Sequence, residues 1–245
     1  MNTDDSPSLE LLLRGEVEIR GEFMWGSNYT FLASINYEGE TTRAVYKPTR
    51  GERPLWDFPA ASLARREVAA YLVSEALGWR LVPPTVYRKQ GPLGPGSLQL
   101  FIEHDPEYHY FTFTHEDRER LRPVVAFDLL VNNADRKGSH VLVDPDGHLW
   151  LIDHGVCFHV EDKLRTVIWD FTGQPLGEDL CSSLADFHTK LNDAAGGESA
   201  LAQSLKPYLT RGEIKALQAR AEKLVSQSVF PPPDPYRRPY PWPQI

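Results

Sequence analysis

Cysteine is scarce. Only Cys157 and Cys181 occur in 245 residues, and neither belongs to a Cys-x-x-Cys pair. That argues against a disulfide framework or a zinc knuckle and points to a reducing, cytoplasmic environment, with both thiols expected to be small buried hydrophobes. Positive charge is also in deficit, with 26 Lys and Arg against 34 Asp and Glu for a net charge of -8. No global basic field is available to hold nucleic acid or anionic lipid, so neither nucleic-acid binding nor stable membrane association is expected. No apolar run approaches the length of a bilayer span, and the acidic, polar start MNTDDSPSLE is unlike a signal or transit peptide. What is present, 41% hydrophobic and 24% charged residues, suits a soluble chain with enough core for one large domain or two small lobes.

The densest chemistry lies in NNADRKGSHVLVDPDGHLWLIDHG, residues 132 to 155. Two short apolar runs flank Asp144-Pro145-Asp146-Gly147, a hairpin signal. A four-residue loop would set Val143 opposite His148 and bring Gly138 to His140 alongside Leu151 to Asp153, with a slip of one residue tolerable. Asp135 and Asp153 then meet at the open end of the hairpin, near His140. Acidic groups with a His at such a mouth suit a divalent cation and a phosphate. The plainer reading of Asn132, Asn133 and Asp135 is helix capping and Asx turns.

Upstream, residues 29 to 36 and 41 to 47 read as a second hairpin turning at Glu38-Gly39, with Lys47 close to Thr30. Gly26-Ser27-Asn28 lies at the same end, either as a phosphate cradle or as an ordinary surface turn. Residues 59 to 78 form a helix, with Ser62 as N-cap and Gly78 as stop. Glu67 sits on its inward stripe and needs a cationic partner, with Lys47, Arg66 or solvent available. Residues 83 to 103 hold two more strand-like runs. Beyond them the pattern turns helical: 117 to 130 with a possible kink at Pro123, then 178 to 193 and 211 to 228.

The expected fold is α+β and bilobal: a β-rich N-terminal lobe (1–103) ending in a hinge, a mainly α-helical C-terminal lobe (104–230), and a Pro/aromatic tail (231–245). Ligands bind in clefts between such lobes. The tail reads as polyproline, docked through Tyr240 and Trp242 or free.

In chain order these pieces resemble the phosphatidylinositol 3-/4-kinase-like superfamily, most closely the type II phosphatidylinositol 4-kinases, and an uncharacterised bacterial group of the same kind. VYKPTRGERPL is similar to that family's strand lysine, SLARREVAAYLVSEALG with VPPT to its N-lobe helix, and GSLQLFIE to its inter-lobe hinge. NNADRKGSHVL resembles the DRxxxN catalytic loop, and LIDHGVCFH the IDNG metal segment. The resemblance implies a protein-kinase-like fold and an ATP-dependent phosphotransferase using Mg²⁺ or Mn²⁺. Lys47 would pair with the α/β-phosphates, and Glu67 would hold Lys47. Asp135 would orient or deprotonate an acceptor hydroxyl on a lipid, small molecule or protein, and Asp153 would hold the metal. Ser27 and Asn28 would cover the phosphates, the Gln99 to Ile102 backbone, including Phe101, would contact adenine, and Lys163 and Arg165 could read an anionic substrate.

One position departs from the pattern: His140 stands where the family has Asn. An imidazole ligand favours Mn²⁺ over Mg²⁺ and must be neutral, which puts an acid limb near about 6.5 if the ring is unperturbed. A nucleotide-binding pseudokinase and an AMP-transferring enzyme of the same fold are the alternatives.

Overall fold

The computed structural model describes residues 6–23, 28–192 and 199–245. A helix, α1 (Ser6–Arg14), leads into a five-stranded antiparallel sheet of order β1-β2-β3-β5-β4. Its strands are β1 (Glu16–Glu22), β2 (Phe31–Tyr37), β3 (Glu40–Pro48), β4 (Thr85–Arg88) and β5 (Gly96–Leu100). β2 and β3 turn at Glu38 and Gly39, both at positive φ (50° and 88°), as a tight hairpin requires. Phe31 opposite Tyr46 matches the pairing expected from the turn. The sequence reading missed α1 and β1. β1 is an edge strand of exposed and half-buried residues, so it carries little periodic apolar signal.

α2 (Leu63–Leu77) packs against β4 and β5 and ends at Gly78 with φ 73°. Its N-terminus differs from expectation. Ser62 has helical backbone angles and turns its hydroxyl to the Pro59 carbonyl at 2.6 Å, so it caps nothing. The Glu52 carboxylate accepts from Leu63 N (3.1 Å) and Ala64 N (2.9 Å) instead. A charged acceptor suits the positive end of the helix dipole.

The second lobe is mainly helical: α3 (His115–Glu119), α4 (Arg122–Val131), α5 (Glu178–Asn192), α6 (Ala200–Leu205) and α7 (Arg211–Gln227). Pro123 does not kink one helix. It stands in the first turn of α4, where a missing N–H costs nothing, and α3 ends before it. The short hairpin of β6 (Val141–Val143) and β7 (Leu149–Leu151) pairs Val143 with Leu149, one residue from the expected register. Beyond the strand ends the same register continues, with Asp144 N donating to the His148 carbonyl at 3.1 Å.

One apolar core runs through both lobes, from Leu12, Tyr46 and Leu98 to Phe127, Leu151, Phe187 and Leu217. Cys157 is buried in it and Cys181 only half-buried. Between the lobes, fully buried Arg66 of α2 donates to Glu213 of α7 and to the Cys157 carbonyl at 2.6 Å. The tail docks, but not by its aromatics: Trp242 is 77% and Tyr240 42% exposed. Backbone carbonyls attach it, Pro239 to Thr166 N at 3.0 Å and Gln244 to Gly138 N at 2.8 Å.

Candidate active site

β3 delivers Lys47 to the mouth between the lobes, and α2 presents Glu67 from its buried face. Lys47 Nζ lies 2.5 Å from Glu67 Oε1 and 3.0 Å from Asp153 Oδ1. Glu67 Oε2 accepts from His154 N at 2.9 Å, so both of its oxygens are committed. Arg66, the rival partner for Glu67, is spent on Glu213. Burial by itself would lower the Lys47 pKa, but the Asp153 and Glu67 carboxylates outweigh it and raise it above its ordinary value.

Asp153 follows β7 with φ 63°, a left-handed conformation unusual for a residue with a side chain. The bend turns its carboxylate toward the cleft, where it remains 49% exposed. The Lys47 ammonium holds it well below the usual carboxylate range.

The loop carrying Asp135 is built by its neighbours. Asn132 ends α4 at φ 55°, and its amide donates to the carbonyls of His159 (3.0 Å) and Glu161 (2.7 Å). Asn133 donates to Asp128 Oδ1 at 3.0 Å, while its own oxygen accepts from Asp135 N at 2.9 Å. For both asparagines the plainer, structural reading therefore holds. Sequence reasoning missed Arg136, which is wholly buried. Its guanidinium meets Asp128 (2.9 Å), the carbonyls of His140 (3.2 Å) and Ile152 (2.9 Å), and His154 Nε2 (2.9 Å). It ties the Asp135 loop to the mouth of the β6–β7 hairpin. The available signal was a cation next to Asp135 in a segment otherwise headed for the core.

Burial raises the Asp135 pKa to about 6; Lys137, at 3.5 Å, opposes the rise and Asp153 adds to it. A carboxyl tuned to that range can exchange a proton near neutrality.

His140 lies beneath Asp153, with Nε2 3.4 Å from Asp153 Oδ2. Lys137 N donates to its Nδ1 at 3.4 Å, which places the ring proton on Nε2, the edge nearer Asp153. Burial lowers its pKa to about 3 despite Asp153. The acid limb expected near 6.5 therefore does not belong to this ring, because an imidazolium could not be solvated there. Among the described residues, no group of three or more His, Cys, Asp and Glu side chains is arranged to hold a metal ion. The donor set thus fits only an ion that takes most of its ligands from phosphate oxygens and water, as Mg²⁺ commonly does.

The remaining candidates are more scattered. Ser27 lies outside the described residues, and Asn28 Oδ1 accepts from Arg53 N at 2.7 Å. The buried Gln99 side chain donates to Thr85 at 2.9 Å. Phe101 N donates to the Arg43 carbonyl at 3.0 Å, and the Ile102 carbonyl lies 2.8 Å from His104 Nδ1. Lys163 is held by Asp57 at 3.2 Å and Glu161 at 3.6 Å, and lies 5.1 Å from the Trp56 ring centre. Arg165 is exposed and close enough to Asp135 to act on its charge.

Protein Rv2133c of Mycobacterium tuberculosis is 40% identical over 268 aligned positions, covering 95% of this chain and 94% of that protein. The chain belongs to the family of Rv2133c. Phosphatidylinositol 4-kinase gamma 4 of Oryza sativa subsp. japonica is 30% identical over a match that takes in 57% of this chain but only 31% of the plant protein. No family model matches. Among solved structures, the Golgi casein kinase with Mn and ADP bound superposes with TM-score 0.56 at 15% identity, covering 92% of this chain and 76% of that one. The Helicobacter pylori proinflammatory kinase CtkA gives TM-score 0.53 at 10% identity, covering 89% and 94%. The Rv2133c-like chain thus has a kinase-like fold, with a β-sheet lobe and a helical lobe.

Proposed function

We propose that this Rv2133c relative is an ATP-dependent phosphotransferase of the phosphatidylinositol 3-/4-kinase-like type, moving the γ-phosphate to a hydroxyl acceptor across a cleft between residues 1–103 and 104–230. The observation that carries the reading is the Glu67–Lys47–Asp153 chain of contacts at 2.5 and 3.0 Å, with Asp135 beside it. In this reading Glu67 fixes the ammonium of Lys47 against the α/β-phosphates. Asp135 aligns the acceptor hydroxyl and takes its proton as the new bond to phosphorus forms and the bond to the ADP oxygen breaks. Little covalent help from the protein is needed, because phosphoryl transfer depends mainly on positioning and charge neutralisation.

Asp153 would hold a divalent ion, which would supply that neutralisation at the phosphates. The Mn and ADP of the Golgi casein kinase structure support a Mn²⁺ or Mg²⁺ nucleotide complex here. His140 lies against Asp153, Nε2 at 3.4 Å; direct ligation would require the other tautomer and the loss of the Lys137 contact. In this reading backbone at Gln99 to Ile102 borders adenine, Asn28 covers the phosphates, and Arg165, beside Asp135, faces the acceptor. The plant 4-kinase suggests a lipid acceptor and the casein kinase a protein one, so the acceptor class is left to experiment.

The test is ATP labelled separately in its α- and γ-phosphates, incubated with the protein, Mg²⁺ or Mn²⁺, and cell extract. Transfer of γ-label that Asp135→Asn abolishes is expected. Transfer of α-label would establish AMP transfer instead. The tautomer of His140, which offers no free lone pair to a second metal, favours one further reading, a nucleotide-binding pseudokinase. Metal-dependent ATP binding without transfer of either label would support it.

A further inference from the structure

A cavity of about 460 Å³ lies in the helical lobe between α7, the segment after Asp153 and the proline-rich tail. None of Lys47, Glu67, Asp135, His140 or Asp153 is in its wall. The wall is mostly apolar, with Leu164, Leu224 and Pro232 among its residues, and its volume suits a small molecule. Two residues of the wall carry a buried donor without a partner, Arg220 at Nη2 and Trp169 at Nε1. Arg220 is otherwise well fixed, since Nε donates to the Leu130 carbonyl at 2.7 Å and Nη1 to the His159 carbonyl at 3.2 Å. One edge of the guanidinium is thereby anchored.

Of the wall's other charged side chains, Lys223 is exposed on α7, and the rest are engaged. Arg237 pairs with Asp234 at 3.3 Å and also donates to the Asp162 carbonyl, while the Asp162 carboxylate accepts from Leu164 N at 3.3 Å. Burial lowers the Arg220 pKa to about 10, Asp162 countering it only in part, so its charge is poorly compensated. Unsatisfied buried donors are costly, and two on residues of one cavity wall call for an acceptor.

We infer that this cavity is a binding site for a small apolar molecule with a single anionic head, the head accepting from Arg220 Nη2 and Trp169 Nε1 and the body lying against the leucine and proline wall. The tail that closes the cavity continues to the Asp135 loop, through the Pro239–Thr166 and Gln244–Gly138 hydrogen bonds. An occupant would therefore brace that loop from behind.

The test uses a matched pair of fluorescent probes, 1-anilinonaphthalene-8-sulfonate and its uncharged counterpart N-phenyl-1-naphthylamine. They are titrated into the full chain, Arg220→Gln, and Ala216→Phe, which fills the cavity from α7; circular dichroism checks folding. The sulfonate should bind saturably, one per chain, and at least about tenfold more tightly than the neutral probe, as expected for a hydrogen bond to a charged group. Ala216→Phe should abolish binding, and Arg220→Gln should reduce the sulfonate to the neutral probe's affinity. Equal binding of the two probes to the wild-type chain would overturn the inference even if Arg220→Gln fails to fold. So would undiminished binding to Ala216→Phe, or a dimer of the unliganded chain that Ala216→Phe dissociates, which would give the cavity to a second copy.

Discussion

Asp135 and His140 divide the pH behaviour of the site. The folded Asp135 carboxyl titrates at about 6, above its ordinary value of 3.8, so folding favours its protonated form. The stability linked to that form is fully present below about 3.8 and is lost as pH rises through about 6. Asp135→Asn, neutral and of the same size, should therefore melt higher than wild type at pH 8 but not at pH 4, in protein free of nucleotide and metal. Thermal melts at the two pH values check this. With Asp135 as the proposed base, the acid limb of turnover should lie near 6, where its carboxylate becomes protonated. His140→Asn should leave that limb in place, because the imidazole is already neutral down to about pH 3. Rates with each metal across this range separate the two residues, and a limb displaced by His140→Asn would contradict the assignment. For Lys47 and Glu67, a double-mutant cycle on ATP affinity should give a coupling above the roughly 0 to 1 kcal/mol of surface pairs, since Glu67 is almost wholly buried.

At the scale of elements, α2 and α7 hold the two lobes in register. Glu213 closes the N-terminus of α7 in a capping box with Thr210 and also receives the buried guanidinium of Arg66 from α2. Glu213→Ala removes a cap and leaves a buried cation unpaired, so a loss of about 3 to 5 kcal/mol in unfolding free energy is expected. Urea denaturation measures it, and a loss below about 1 kcal/mol would mean that solvent reaches Arg66 easily. These elements were partly legible in advance. α2, α5 and α7 stood out because long helices repeat their apolar residues often enough to be seen. α1, α6 and β1 did not, being short or exposed. Ser62 misled because a favourable capping residue matters only if its backbone leaves the helical region, and here it does not.

At the scale of the whole molecule, the tail connects the far side of the helical lobe to the Asp135 loop. Deleting Tyr240 to Ile245 should leave the core transition nearly unchanged, since Tyr240, Trp242 and Ile245 are exposed. It frees Gly138 N and should lower turnover more than ATP affinity. Kinetics with separate nucleotide-binding measurements check this, and a truncated protein with full turnover would show the tail to be passive.

The sequence alone determined which residue types the site could draw on and, by local periodicity and turn chemistry, most of the strands and long helices that carry them. It also paired Lys47 with the strand before it and brought Asp135 and Asp153 to one hairpin mouth, because short-range register follows from turn length. Tertiary structure decided what depends on distant chain segments. Glu67 took Lys47 rather than Arg66 because Glu213, 147 residues from Arg66, claimed that guanidinium. Arg136 became the anchor of the Asp135 loop because Asp128 and two hairpin carbonyls converge on it, and His140 lost its expected titration because the assembled lobes exclude the water that would solvate its charge. Pairing and desolvation of that kind depend on which surfaces meet, and local sequence does not encode them.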